Sequence, residues 1–471
     1  MNMTKENFYE IIKTKRIAFI GVGVSHNDLI RKYAKMGADI TVLDKSTKEK
    51  IGELYNEFSA LGVKFILGEN YLKTLNDFYM VFRSPGVKYM LEEILKAKDE
   101  GVIITSEMEM FFQLCPCKTY AVTGSDGKTT TTTLISKILQ KEFENTNKKV
   151  YLGGNIGKAL LPILDQVTQE DIAVVELSSF QLISMTQSPD VAVVTNIEPN
   201  HLDAHKDMKE YVQAKKNIFY HQSPCSKLII NKDNQITKDF FGQQRGMGLY
   251  FSRISPNNCG TSLDDNGNLV YQKDNKTTIL FNKEDIQIKG EHNIENYLAA
   301  CCAVFEDVSP QSMKFVAKNF GGVEHRNEFI GEINGIKWFN DSIATSPTRT
   351  KAGLATFDEK IILIAGGYDK NIPFQPVAPS INDKVKILIL MSDTAQKIKQ
   401  AVENAENYNP SLIEIIMVNS MEEAVKTANE KAQAGDCVAL NPASASFGLY
   451  KNFECRGNHF KDLVNALKND K

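Results

Sequence analysis

Residues 120–133, YAVTGSDGKTTTTT, hold the groups best suited to chemistry in this chain. A β-rich run breaks at Gly124 and Gly127, and Lys128 and Thr129 follow where a helical pattern begins. Backbone N–H groups in such a turn converge on an anion, and the helix N-terminus adds partial positive charge. A lysine at position 128 reaches a terminal phosphate, and a threonine hydroxyl at 129 suits Mg2+. The pattern therefore predicts an ATP-type triphosphate held by Gly124, Ser125, Asp126, Gly127, Lys128, Thr129 and Thr130. It is a short variant of the phosphate loop, with Val122 where the first glycine of the full consensus belongs. A glycine-rich strand-to-helix turn without a ligand would use the same residues.

Further segments supply groups that Mg·ATP needs. An apolar run at 172–176 ends in Glu176, and an acid at the carboxyl end of a buried strand near a phosphate loop is a usual metal ligand. Ser178, Ser179 and Gln181 follow as uncharged hydrogen-bonding groups. His201, in NHLDAH, is a ligand or a substrate contact, although a lone histidine is more often structural. In DMKEYVQAKKNIF, Tyr211, Val212, Ile218 and Phe219 define one helical face, and Lys215 falls within it. An inward lysine loses hydration, its pKa falls, and its neutral amine becomes reactive, for instance toward CO2. A snorkelling or ion-paired lysine is the plainer alternative. Asn293 is expected as the N-cap of a helix over 293–305, with Asn296 one turn on. Arg326 and Asp341 suit phosphate and ribose, though each is also an ordinary loop polar group.

The elements that must position these groups read as α/β. The chain has 471 residues, 42% hydrophobic and 24% charged, so about three domains of ordinary globular composition are expected. A net charge of −3 disfavours a nucleic-acid partner. The N-terminus is too charged for a signal peptide, and no apolar run reaches membrane-spanning length, so a cytoplasmic protein is expected. The 8 cysteines show no zinc-ligand spacing and read as free thiols. Strand patterns at 16–20, 39–43, 63–67 and 79–83 alternate with helical ones at 27–36 and 88–98. This predicts a parallel sheet covered by helices. Gly21 and Gly23 follow the first strand like a dinucleotide fingerprint, but His26 stands at its third glycine. Asp44 closes the second strand where a ribose-binding acid would sit. Residues 231–289, polar and turn-rich, are expected to form hairpins. Strand–helix alternation resumes with strands at 360–364, 385–391, 413–418 and 437–440 and a helix at 421–434.

Taken together, TGSDGKTT, GGNIG, ELSSFQL, NHLDAH, the Tyr211-to-Lys215 spacing, GEHNIEN, EHRNEF and NDSIATSPT resemble the Mur ligase family over nearly the whole chain. The resemblance implies three domains: a UDP-binding Rossmann-like domain at 1–115, a central ATPase at 116–322 and a Rossmann-like domain at 323–471 that binds an amino acid. It implies a monomeric ligase that joins D-glutamate to UDP-N-acetylmuramoyl-L-alanine through an acyl phosphate, with ATP and two Mg2+. Domain closure would bring the amino acid to the acyl phosphate.

By the same resemblance Lys128, Glu176, His201 and Lys215 are catalytic. Thr129 and Glu176 hold one metal ion, and His201 and a carbamylated Lys215 help hold the other. Asn296, Arg326 and Asp341 serve the nucleotide, and His325 belongs to the same loop as Arg326. Asn155, Ser178 and Gln181 contact the muramoyl-alanine part, and Ser25, Asp44, Lys45 and Ser84 the uridine diphosphate. Thr345, Lys370, Ser446 and Phe453 bind D-glutamate. Ile343 replaces the lysine frequent in NDSKAT, a loss for which Arg349 is a candidate substitute. The alternatives are a ligase of the same family or a folylpolyglutamate synthetase-type ligase with another amino acid, and a non-catalytic nucleotide-binding regulator. NPASASFG in place of a DNPR-like motif, and SPGV in the first domain, weigh against the first two.

Overall fold

The computed structural model describes residues 3–199, 205–288, 290–370 and 372–468. The chain divides into two compact units, residues 1–320 and 321–471. Among the described residues, twenty strands form three sheets, and no helix is long and apolar enough to cross a membrane.

The first sheet joins β1 (Arg16–Ile20), β2 (Asp39–Asp44), β3 (Lys64–Leu67), β4 (Met80–Arg83) and β5 (Ile103–Thr105) in the order β3-β2-β1-β4-β5. All its pairs are parallel. Parallel strands need both faces covered, which explains their near-continuous apolar runs. Strand order reverses between β1 and β4, and ligands of open α/β sheets bind outside the strand ends at such a point. Gly21 ends β1 there with φ +89, and an added Cβ would lie 3.3 Å from the Ser84 Cβ that follows β4.

The second sheet holds β6 (Lys118–Thr123), β7 (Val150–Gly154), β8 (Ile172–Glu176), β9 (Val191–Val194), β10 (Lys227–Asn231), β11 (Met247–Ser252), β12 (Gly260–Leu263), β13 (Asn268–Lys273) and β14 (Lys276–Asn282). Its order is β14-β13-β12-β11-β10-β9-β6-β8-β7, and β6 sits at the reversal. The hairpins expected over 231–289 form only in part. Strands β11 and β12 pair in parallel with β10 and β11, and antiparallel pairing begins at β13. Buried Leu249 and Phe251 on β11 extend the apolar core outward, an edge that periodicity alone did not separate from a hairpin.

These two sheets share one apolar core, which runs from Phe8, Phe19 and Phe82 through Leu160 and Leu161 to Ile218 and Phe219. Polar contacts also join them. Lys32 Nζ donates to Asp165 Oδ2 at 2.8 Å and to the Pro162 carbonyl at 2.8 Å. Arg83, at the end of β4, donates to the Phe180 carbonyl and to Ser184 Oγ, each at 3.0 Å. Buried Glu107 accepts the N–H groups of Leu160 and Leu161 at 3.0 and 2.9 Å, and its burial raises its pKa to about 7.

The second unit has β15 (Glu328–Ile333), β16 (Ile336–Asn340), β17 (Ile361–Gly366), β18 (Val385–Met391), β19 (Glu414–Met417) and β20 (Cys437–Leu440), ordered β15-β16-β20-β17-β18-β19. Only β15 and β16 pair antiparallel. The reversal lies between β17 and β20, and the loops that leave their ends meet at a Tyr368–Ala445 bridge.

Glu107→Ala would leave two buried N–H groups unpaired. It should destabilise the first unit by about 2 kcal/mol or more, read from the denaturant midpoint.

Candidate active site

The phosphate turn is fixed by steric exclusion before any ligand arrives. Buried β6 ends at Gly124 (φ +151), where a Cβ would overlap Thr195 Oγ1. Gly127 (φ +75) is the N-cap of the helix Lys128–Glu142, and a Cβ there would overlap Asn296 Oδ1. No side chain caps that helix, so its first turn presents backbone N–H groups toward the loop without a protein acceptor of the capping type. The loop is braced from β9 outward. Ser125 N–H donates to the Asn196 carbonyl and Asp126 N–H to Asn196 Oδ1, each at 2.9 Å. Thr195 Oγ1 donates to the Asp126 carbonyl at 2.6 Å. Thus two N–H groups of the predicted anion nest are already occupied, and the helix end supplies the remainder.

Asn296 is buried against this turn. Its Oδ1 accepts from Thr131 Oγ1 at 3.2 Å, and its amide donates to Asn293 Oδ1 at 3.1 Å. The expected N-cap at Asn293 is corrected to Gly290, because the helix Glu291–Val304 begins earlier, and Asn293 lies inside it. Lys128 Nζ folds back to the Ser125 carbonyl at 2.9 Å. Thr129 is buried, and Thr130 is half-buried in the same first turn.

Glu176 and Lys215 approach the turn from neighbouring elements. Val122 of β6 pairs with Glu176 at the end of β8. Glu176 is 1% exposed; its Oε1 accepts from Asn155 Nδ2 at 2.7 Å, and its Oε2 is buried with no hydrogen-bond partner. An orphaned carboxylate oxygen of this kind suits a cation. The helix Met208–Tyr220 starts at Asp207, whose side chain accepts the Glu210 N–H, and buries Tyr211, Ala214, Lys215, Ile218 and Phe219 along one stripe. Lys215 is 2% exposed. Its Nζ donates to the Gly124 carbonyl at 2.7 Å and lies 4.7 Å from the Tyr211 ring centroid. Burial, with the Lys128 ammonium second, pushes its pKa from 10.5 to about 7. As an ammonium Lys215 only donates, and conversion to an anionic oxygen ligand would give it the donor atom that Mg2+ prefers. His201, the remaining expected ligand, lies outside the described residues. Among the described residues there is no group of three or more His, Cys, Asp and Glu that could hold a metal ion.

The other expected contacts fall into two places. Ser25 and Gln181 line one cavity between the first and second sheets, together with His26, Arg83, Glu107 and Gly154. Ser178 and Gln181 are tied to each other in a capping box. Asp44 accepts the Val22 and Ser46 N–H groups at 2.9 and 2.7 Å and so shapes the turn after β1, while Lys45 forms an exposed ion pair with Glu69.

In the second unit, Lys370 and Ser446 sit on the loops at the β17–β20 reversal, and Lys370 Nζ lies 5.6 Å from the Phe447 ring centroid. Phe453 begins the helix Phe453–Ala466 and packs edge-on to His325 at 6.0 Å. Thr345 N–H donates to the Ile343 carbonyl at 2.8 Å, and Arg349 Nη1 reaches the same carbonyl at 3.2 Å, so the guanidinium lies in the loop that lacks the lysine. Arg326 N–H closes a tight turn to Val323. Asp341 is buried; it accepts from Asn327 N–H and Asn441 Nδ2, and burial raises its pKa to about 7.

Sequence reasoning missed Arg456, whose buried guanidinium donates to Ser342 Oγ and to the carbonyls of Ser342, Ser444 and Ala445. It also missed His205, which lies in the same NHLDAH motif as His201 and is 4% exposed.

The description "Mur ligase middle domain" fits residues 122–304, and "Mur ligase, glutamate ligase domain" fits residues 325–444. The UDP-N-acetylmuramoylalanine--D-glutamate ligase of Clostridium botulinum is 48% identical over 467 residues, 99% of this chain and 100% of that protein. The enzyme of the same name from Acetivibrio thermocellus is 49% identical over 470 residues, again 99% and 100%. Among solved structures, the UDP-N-acetylmuramate-alanine ligase of Thermotoga maritima shares the fold with a TM-score of 0.53 at 17% identity, over 96% of this chain and 99% of that one.

Gly124→Ala and Gly127→Ala should each lower the thermal midpoint and weaken binding of a non-hydrolysable ATP analogue by about tenfold or more, since strain of this kind costs about 1–3 kcal/mol. Gly23→Ala, where a Cβ meets nothing within 4 Å, should leave the midpoint unchanged. Asp341 binds its proton more tightly folded than unfolded, so its stabilising contribution is complete below the ordinary carboxylate range and is lost as pH rises through about 7. Asp341→Asn should therefore flatten the pH dependence of melting of residues 321–471 across that window.

Proposed function

The chain belongs to the Mur ligase family, and from that premise we propose that it joins D-glutamate to UDP-N-acetylmuramoyl-L-alanine with hydrolysis of ATP to ADP and phosphate, in the cytoplasmic synthesis of peptidoglycan precursors. One observation carries this reading: Lys128, Glu176 and Lys215 surround one phosphate turn in a chain nearly half identical, end to end, to ligases of that name. Residues 1–115 would hold the uridine diphosphate, 116–322 the ATP, and 323–471 the amino acid.

The chemistry asks two anions to meet. The substrate carboxylate attacks the γ-phosphorus of ATP, the bond to the ADP oxygen breaks, and an acyl phosphate forms. The amine of D-glutamate then attacks the carbonyl carbon and loses a proton, and phosphate leaves with its pair of electrons. Lys128 places a positive charge at the transferring phosphoryl group. The N-terminus of the helix Lys128–Glu142 would stabilise the negative charge of that phosphoryl group through its backbone N–H groups. Ser178, Gln181 and Asn155 would orient the muramoyl-alanine arm. Lys370 would pair with the anionic side chain of D-glutamate, with Thr345, Ser446 and Phe453 around it. Thr129 and Glu176 would hold one Mg2+, and His201 and Lys215 the second. Bound there, the ions would reduce the repulsion between the two reacting anions.

Lys215 fits that role only after carbamylation. Its neutral amine adds to the carbon of CO2 and releases one proton, which replaces a cation by an anionic oxygen donor. A pKa near 7 leaves much of the amine neutral at physiological pH, whereas an ordinary lysine is almost wholly charged.

Purified protein given Mg2+, ATP and UDP-N-acetylmuramoyl-L-alanine should release ADP in proportion to D-glutamate and far more slowly with L-alanine, diaminopimelate or lysine. Equal rates with one of those amino acids would assign a different ligase, and no ADP with any of them would sink the ligase reading. Lys215→Ala should lose about 100-fold or more in kcat. Bicarbonate should not restore it, while short-chain carboxylates should do so in part. Incorporation of isotope-labelled CO2 should rise as pH passes about 7, because the neutral amine is the reactant. The label should be absent from the Lys215→Ala protein.

A further inference from the structure

The turn that follows Glu176 and the helix that carries Lys215 are joined at one end by Asn217, whose Nδ2 donates to the Leu182 carbonyl at 2.9 Å, and at the other by His205. His205 Nδ1 lies 3.0 Å from Glu210 Oε1, and His205 Nε2 lies 2.9 Å from Ser179 Oγ. A carboxylate only accepts, so Nδ1 carries the proton, and in the neutral ring Nε2 accepts the Ser179 hydroxyl. The imidazole stacks on Phe180 at 5.1 Å and 7° and meets the edge of Tyr211 at 5.3 Å. Each neighbour leads onward. The Phe180 carbonyl accepts from Arg83 of the first sheet, and Tyr211 Oη lies 3.0 Å from Ser125 Oγ in the phosphate turn. Ser179 itself adjoins Ser178, which caps the helix Ser179–Leu182.

We propose that Glu210, His205 and Ser179 act as a hydrogen-bonded relay that sets the Glu176–Gln181 turn against the helix of Lys215, so that His205 is a positioning residue of the ligase reaction. The inference rests on the ligase reading above. A serine, histidine and carboxylate in this order also occur in serine hydrolases. Here Ser179 is 2% exposed and its hydroxyl lies within the packed turn, which suits holding rather than nucleophilic attack.

His205→Phe keeps the aromatic stack and removes both hydrogen bonds, and Ser179→Ala removes one of them. Each should lower kcat by about 10- to 100-fold, the usual cost of losing an orienting partner. Binding of a non-hydrolysable ATP analogue should stay within about twofold, because the phosphate turn is braced by Asn196 and Thr195 instead. The double variant should be no worse than the weaker single one, since both break the same relay. Glu210→Gln, which still accepts from Nδ1–H, should recover most of the activity that Glu210→Ala loses.

Additive losses, a fall in melting temperature with kcat retained, or labelling of Ser179 by a fluorophosphonate would each overturn the proposal. If His205→Phe does not fold, Ser179→Ala and the Glu210 pair decide the matter. Wild-type ADP release reports on the ligase reading, and the variants report on the relay, so the two fail separately.

Discussion

A buried ammonium beneath the phosphate turn is the constraint around which this protein is organised. Lys215 gives up its hydration for the Gly124 carbonyl at 2.7 Å, a longer contact to Thr123 Oγ1 at 3.4 Å and the face of Tyr211. No carboxylate lies within ion-pairing distance among the described residues, so the charge is poorly compensated. Such a site favours loss of the proton, and burial does most of this before Lys128 adds its repulsion. The same buried surroundings would strengthen the attraction of Glu176, whose Oε2 has no hydrogen-bond partner, for a cation. Rigidity follows from the same packing, since the turn has a tertiary oxygen behind each of its two glycines.

All three sheets use one device. In each, strand order reverses beside a central strand, the place where open α/β sheets hold ligands in a crevice outside the carboxyl ends of their strands. Gly21 and Ser84 mark it in the first sheet, the phosphate turn in the second, and the Lys370 and Ser446 loops in the third. The substrates proposed for this enzyme are a nucleotide sugar, a nucleotide triphosphate and an amino acid, one for each crevice. Glu176 ends a strand and Lys128 starts a helix at the second of these reversals, where backbone dipoles are already oriented, whereas Lys215 comes from the middle of a packed helix.

Much of this was legible in the residues. The strands at 172–176, 385–391 and 437–440 match the structure residue for residue, because a buried parallel strand is an unbroken apolar run. The inward position of Lys215 followed from helical spacing alone. Less legible were features set by tertiary contact. Residues 247–263 add parallel strands because their apolar side chains complete a core made elsewhere, and polar, turn-rich composition concealed that. The helix carrying Asn296 starts at Glu291 under a glycine cap, which sequence rules rank below asparagine. Arg456 and His205 escaped notice for a similar reason. Arg456 reaches Ser342 across 114 residues and His205 reaches Ser179 across 26, and no spacing rule brings those together.

Phosphorylation of a carboxyl group is the step on which the proposed ligase reaction depends. UDP-N-acetylmuramoyl-L-alanine labelled with 18O in its terminal carboxylate, turned over with ATP and D-glutamate, tests it most directly. Attack by that carboxylate on the γ-phosphorus predicts that one labelled oxygen leaves in each inorganic phosphate, in step with amide formation. Amide formed together with phosphate that carries no label would contradict the account.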